Sequence, residues 1–436
     1  MAIITLMKKP FSWDDYSDQP ALLQDKAYKK SMRKRELGSL VKMSLTALFM
    51  IPISLLATPF VKRKEIDSKH FISLGIDFQR EPHTTNEMIE ELGVKSILTR
   101  FKLWEMEKLP QLKTFLQQHK DKKITLKILQ DREHIEDLAL AKEHLTQIFS
   151  ELAELVYIFE IGSTINRAKW GFFSPREYLA FYKVAYDLKK EQFPTIKLMG
   201  SEVIDFEFHY TVATLFNFCK CKYDAVAALL YVDRRGAPEN TQLGLALTDK
   251  LALLSTMVWL SPKTKQELHI TEVNWPIKET APYAPTSEYE CVSEKDYANY
   301  MLRYYLLSFA TQQVDSVSWH QLIAPGYGLI DNREGIKKRE AYYTFKYMAQ
   351  ILQNAQFLRL DIKRDYYIIQ LLIDEELLQI HWSRRPTTLK NEEFFEVYSK
   401  TGKRLKNEIL DINESPTYIF VIKEVGKKVN ASERVL

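Results

Sequence analysis

Residues 156–199 read VYIFEIGSTINRAKWGFFSPREYLAFYKVAYDLKKEQFPTIKLM and contain one complete strand–helix–strand unit. Val156–Ile161 is a short, near-continuous apolar run, the pattern of a strand covered on both faces. Ser174-Pro175 then opens a helix, with serine as N-cap and proline preset for the first turn. Pro175–Gln192 carries apolar residues at helical spacing, and Ile196–Met199 is the next apolar run. Strands that alternate with helices in this way build a parallel sheet.

The same alternation extends in both directions. After Glu65 the short apolar runs are Phe71–Phe78, Ser96–Phe101, Ile124–Leu129, Val156–Ile161, Ile196–Met199, Ala225–Tyr231, Glu267–Thr271 and Ser316–Trp319. Helical spacing returns between them, as in Glu133–Leu155, Thr248–Trp259 and Glu294–Thr311. Eight such units predict an α/β fold, a (β/α)₈ barrel over residues 66–355. No glycine-rich phosphate turn follows the first strand, which argues against a doubly wound dinucleotide fold. Past Asn354 the runs Phe357–Ile362, Tyr366–Ile373, Leu377–Trp382, Phe394–Tyr398 and Thr417–Val421 are short and hairpin-spaced. They predict a C-terminal antiparallel β-domain over residues 356–436.

One segment breaks the pattern. Met43–Val61 carries no charged residue and is about as long as a bilayer core requires, so residues 43–61 are expected to form a transmembrane helix. Lys26, Lys29, Lys30, Arg33, Lys34, Arg35 and Lys42 precede it; Lys62, Arg63, Lys64 and Lys69 follow. The heavier basic flank is expected on the cytoplasmic side. That gives a cytoplasmic segment 1–42, one pass of a bacterial inner membrane, and a periplasmic barrel. The net charge of +4 over 436 residues gives no reason to expect nucleic acid as a partner. Cys219, Cys221 and Cys291 make neither a disulfide framework nor a zinc pattern, and no metal or cofactor is indicated.

In such a barrel the working residues stand at the C-terminal ends of the strands. Those ends supply Arg100, then Glu160-Ile161-Gly162-Ser163-Thr164 with Asn166, then Tyr231 with Asp233-Arg234-Arg235 and Glu239. The seventh run ends Ile270-Thr271-Glu272-Val273-Asn274-Trp275-Pro276, and the eighth ends Trp319-His320. These motifs resemble clan A glycoside hydrolases, family 39 in particular, over about residues 70–355. The resemblance implies a retaining glycosidase with Glu272 as nucleophile, Arg100 holding it and Tyr231 bonded to it. Trp319 would be the aromatic floor for the reacting sugar. Retaining hydrolysis needs an ionised carboxylate to attack the anomeric carbon and a second carboxyl to protonate the leaving oxygen.

One position departs from the clan. Asn-Glu is expected where Ser163-Thr164 stands, and a threonine cannot act as a general acid near neutral pH. Three readings stay open. Asp233, Glu239 or Asp205 supplies the proton; or the leaving group needs none; or the barrel only binds glycans, as a scaffold of a polysaccharide assembly system. Transglycosylation would share the covalent intermediate. Glu160 reads as structural, inside its strand. Arg234 and Arg235 would suit an anionic sugar. Asn274, Trp275 and the Tyr283–Tyr289 stretch form a long loop that would wall the cleft. The expected partners are therefore a carbohydrate, drawn from an envelope polysaccharide or lipopolysaccharide-type glycan, and a membrane.

Overall fold

The computed structural model describes residues 11–233, 236–392 and 395–421. Eight parallel strands close into a barrel: β1 (Ile72–Ile76), β2 (Ser96–Lys102), β3 (Lys123–Leu129), β4 (Ile158–Ile161), β5 (Leu198–Ile204), β6 (Tyr223–Leu229), β7 (Thr264–Val273) and β8 (Ser316–Trp319). Each expected run overlaps one of them, though β5 shares only Leu198 and Met199 with its run and continues to Ile204. Every residue of β1, β4 and β6 is buried, because the barrel interior covers one face and the helical layer the other. The 133–155 stretch is two helices, not one. Asp137 interrupts it, and its carboxylate accepts from the backbone N–H groups of Ala139 and Leu140, both at 3.1 Å.

Those two helices are α1 (Arg132–Glu136) and α2 (Leu138–Leu152), and α3 (Pro175–Glu191), α4 (Phe208–Leu215) and α5 (Leu247–Leu260) follow on the outside of the barrel. As expected, an antiparallel sheet follows the barrel. It comprises β9 (Gln356–Lys363), β10 (Tyr366–Ile373), β11 (Glu376–Ser383), β12 (Phe395–Tyr398), β13 (Arg404–Leu405) and β14 (Thr417–Val421), in the order β9-β10-β11-β14-β12-β13. Glu239 connects it to the barrel. Its carboxylate accepts from Trp382 Nε1 of β11 at 2.8 Å and pairs with the fully buried Arg303 at 3.0 Å.

The N-terminal segment folds onto the barrel. A short hairpin, Trp13–Asp14 paired with Gln19–Pro20, crosses the C-terminal mouth. Trp13 stands 5.5 Å from Trp104 and 5.9 Å from Trp170, ring centre to ring centre, with Lys102 Nζ 4.4 Å above its face. Gln19 links the loops after β4 and β7, accepting from Lys169 at 2.5 Å and donating to the Pro285 carbonyl at 3.0 Å. Two further helices follow, here labelled αA (Lys26–Arg35) and αB (Leu37–Ala57).

Helix αB carries the uncharged run, and Leu37–Phe60 is long and apolar enough to cross a membrane. It lies along α3, α4 and α5 on the outside of the barrel. At its start the buried Glu36 accepts from Ser174, the N-cap of α3, at 2.6 Å and from Arg176 Nε at 3.0 Å. Beyond its end Lys64 pairs with Asp315, just before β8. A single pass would set residues 1–42 and the barrel on opposite sides of a bilayer. Here residues on both sides of the run touch the same barrel, one end near its mouth and the other at its base.

The burial of Glu239 and Arg303 yields a test. Removing one partner of a buried ion pair typically costs about 3–5 kcal/mol. Glu239→Ala is expected to lower the thermal midpoint by several degrees, measured on the full chain by calorimetry. An unchanged midpoint would show that this contact does not hold the sheet to the barrel.

Candidate active site

The strand ends and the N-terminal hairpin enclose a cavity of about 430 Å³. Register builds the layer around it. Arg100, Lys127 and Glu160 are successive partners across β2, β3 and β4. Residues in register on a parallel sheet share a face, so all three project inward. Glu202 from β5 and Glu272 from β7 join them. Lys127 Nζ lies 2.7 Å from Glu202, 3.8 Å from Glu160 and 3.8 Å from Glu272.

One ammonium cannot balance three carboxylates in a medium of low dielectric, so protons must make up the difference. Burial, reinforced by Glu160, raises the Glu202 pKa well above the carboxylate range. Burial also raises Glu160, against the pull of Lys127. Glu272 behaves oppositely. Burial works against its ionisation, but His320, Lys127, Arg100 and the Tyr231 hydroxyl together bring its pKa down to about 2. Tyr231 donates to Glu272 Oε1 at 2.7 Å. His320 is itself brought to about 3, by burial and then Arg100, so it is neutral above that pH. Near neutrality the cations that keep Glu272 ionised are Lys127 and Arg100.

Arg100 has a second anion. Asp18, from the hairpin, pairs with it and lines the cavity. Burial opposes the ionisation of Asp18, but Arg100 leads the charges that hold its pKa below the usual range. Gln321 Nε2 adds a hydrogen bond to Asp18 at 3.3 Å.

Several residues named from the sequence line this cavity: Arg100, Thr164, Tyr231, Asp233, Glu272, Asn274 and His320. Asn274 is braced by the His320 carbonyl at 2.9 Å. From the long loop after β7, Pro285, Thr286 and Glu290 contribute to the wall. Thr164 adopts φ 50°, a left-handed conformation that is rare for a β-branched residue. Its hydroxyl lies 3.2 Å from Ser163 Oγ, which is 3.3 Å from Glu202. Such outliers cluster at functional sites, and this one stands just after β4 on the cavity wall. Arg234 and Arg235 lie outside the described residues.

Four expectations change. Trp319 is fully buried behind β8, its Nε1 donating to Tyr297 at 3.1 Å, with Trp275 stacked on it at 6.0 Å. The ring facing the cavity is the neighbouring His320, stacked on Tyr327 at 5.4 Å. Trp275, with 1% exposure, is likewise off the wall. Asn166 braces loops, donating to Ile204 O at 3.0 Å and Glu207 at 2.7 Å. Glu239 belongs to the contact with the C-terminal sheet, not to the cavity. Asp205 does line it, in an ion pair with Arg167 at 2.7 Å.

Lys127, Glu202 and Asp18 were not expected at the site. Lys127 gave a signal, as a charge in the middle of the apolar run Ile124–Leu129, where burial demands a partner. Glu202 lies past the run Ile196–Met199, in the part of β5 that the run does not reach. Asp18 gave none, since nothing in the sequence connects it to Arg100.

Similar solved structures include a family 39 glycoside hydrolase from the gut symbiont Bacteroides cellulosilyticus WH2, 15% identical over 83% of this chain and 82% of that one, with a TM-score of 0.63. A family 39 β-xylosidase from Caulobacter crescentus is 13% identical over 83% and 98%, TM-score 0.56. A family 30 endoxylanase from Clostridium papyrosolvens C71 is 10% identical over 83% and 97%, TM-score 0.55. At these identities the likeness is one of fold, and this chain shares the barrel of those enzymes. No protein-family model and no curated protein matches the sequence.

The depressed Glu272 pKa sets a pH dependence. A carboxylate whose pKa is lower when folded adds stability that is present above its unfolded value of 4.5 and disappears as pH falls through about 2. The shift corresponds to roughly 3 kcal/mol. The stability gap between the native chain and Glu272→Gln should be full at pH 6 and closed near pH 2, as read from denaturant midpoints. A gap independent of pH would mean that Glu272 is not held ionised.

Proposed function

We propose that this chain is a retaining glycosidase acting on an envelope polysaccharide or lipopolysaccharide-type glycan, with Glu272 as its nucleophile. The observation that carries the reading is the Tyr231–Glu272 pair on the cavity wall, in a carboxylate kept ionised by Lys127 and Arg100. A Glu272 oxygen would attack the anomeric carbon and form a glycosyl ester as the exocyclic C–O bond breaks. Water would then cleave the ester and restore the carboxylate. In a transglycosylase a sugar hydroxyl would replace that water.

The leaving oxygen needs a proton, and Thr164 cannot give one. Asp233 is the proposed donor: it shares the cavity with Glu272, and no ion pair to it forms among the described residues. Arg234 and Arg235 follow it directly in the chain. They would hold a phosphate or carboxylate group of an anionic sugar, and Asp233 would then face a neutralised pair of cations. The apolar helix αB supports residence at a bacterial inner membrane, close to such glycans.

The hydroxyl of Thr164 in the acid position favours a second reading, a barrel that binds glycans without cleaving them. Kinetics separates the two. Glu272→Gln should abolish hydrolysis while the chain stays folded. Asp233→Asn should slow poor leaving groups by about 10²–10⁴-fold and activated aryl glycosides little, since general acid catalysis is worth that much. If the native chain is inert and Ser163→Asn with Thr164→Glu makes it hydrolytic, no substitute acid exists and the binding reading stands.

A further inference from the structure

Helix αB has two faces, and the barrel uses only one. Glu36, Leu40, Met43, Ala47, Met50, Ser54 and Thr58 recur at helical spacing and are buried or half-buried against α3, α4 and α5. Ser54 is wholly buried, and Thr58 lies within 3.2 Å of Thr256 on α5. Both ends are tied down, by Glu36 to the cap of α3 and by Lys64 to Asp315. To cross a bilayer the helix would have to leave this groove and break both ties. Alternatively it would carry the charged flank of the barrel into hydrocarbon, at a prohibitive cost.

The outward face is apolar. Leu45, Leu48, Phe49, Ile53, Leu56 and Phe60 are exposed, Leu56 at 76% and Phe60 at 74%. No charge interrupts the face from Met43 onward. Trp259 extends it, exposed at the end of α5, the helix that packs on Thr58–Phe60. Such a patch marks an interaction surface.

Its rim identifies the partner. At one end αA presents Lys26, Lys30, Arg33 and Lys34, all exposed, with Lys42 on αB itself; Lys62 and Arg63 are exposed at the other. Among the described residues, none of Lys26, Lys30, Arg33, Lys34, Lys42 and Lys62 is in an ion pair. An uncharged apolar strip between two basic ends matches a bilayer surface with anionic headgroups: side chains enter the acyl boundary and lysines meet phosphates. A second copy of the chain would bring like charges together at both ends.

We infer that αB does not span the membrane but lies in the plane of an anionic bilayer, holding the barrel against it side-on. The hairpin at residues 13–20 and the barrel are then on the same side. This rests on the packing and charge of αB, not on the glycosidase reading, and its test needs no substrate.

The full chain is mixed with sedimenting vesicles of phosphatidylcholine, with or without phosphatidylglycerol. Binding should be at least about tenfold tighter to the anionic vesicles, since each basic residue near such a surface strengthens it. Leu48→Glu with Phe49→Glu should abolish binding and leave the thermal midpoint unchanged, because both positions point away from the barrel. Equal binding to both vesicles, or binding that survives the substitutions, would overturn the inference. So would a chain that ignores vesicles and elutes as a dimer that Leu48→Glu dissolves, which would give the face to a second copy. In cells, Tyr16→Cys and Tyr289→Cys, with the native cysteines replaced by serine, should react with an impermeant maleimide from the same side of the membrane. Reaction from opposite sides would establish a crossing.

Discussion

A single buried ammonium governs the charge inside this barrel. Lys127 rises from the middle of β3 into contact with Glu202, Glu160 and Glu272, and no other lysine lies within ion-pair distance of them among the described residues. Burial alone would protonate all three carboxylates. The lysine, together with Arg100, makes the outcome unequal. Glu272 faces the cavity with 14% of its side chain exposed and carries the charge, whereas the two sealed acids behind it have raised pKa values. An ionised carboxylate is what nucleophilic attack on an anomeric carbon requires, and the Tyr231 hydroxyl, donating at 2.7 Å, orients the one on Glu272.

Parts of the chain far from the barrel strands shape the space in front of that carboxylate. The hairpin at the N-terminus brings Asp18 to Arg100 and spans the loops after β2, β4 and β7 through Trp13 and Gln19. The loop after β6 is fixed from the other side, where Glu239 meets Arg303 and Trp382. Catalytic geometry in barrels depends on loops held to fractions of an ångström, and here both the N-terminal segment and the C-terminal sheet contribute to holding them.

The barrel was legible because its signal is repeated eight times, and the places of Glu272 and Tyr231 on the cavity wall because strand ends can be counted. The misses have physical causes. Trp319 and His320 are adjacent, and neighbouring residues at a strand end face opposite sides, so an error of one residue exchanges core for cavity. Glu239 follows a loop whose path depends on a sheet that begins more than a hundred residues later in the chain. The contact of Asp18 with Arg100 bridges 82 residues, and no local pattern encodes it. In αB the packed face is made of small and apolar residues on a helix that is apolar elsewhere too. Its periodicity is therefore invisible to a reading that looks for charge on one side.

Covalent capture addresses the central claim most directly. A 2-deoxy-2-fluoro glycoside with a dinitrophenyl leaving group needs no acid for its first step, so the lack of a carboxyl on Thr164 does not affect the result. After incubation with a panel of such sugars, peptide mass spectrometry should find one glycosyl adduct, on Glu272, that the Glu272→Gln chain lacks. An adduct on another carboxylate, or none across the panel, would contradict the account.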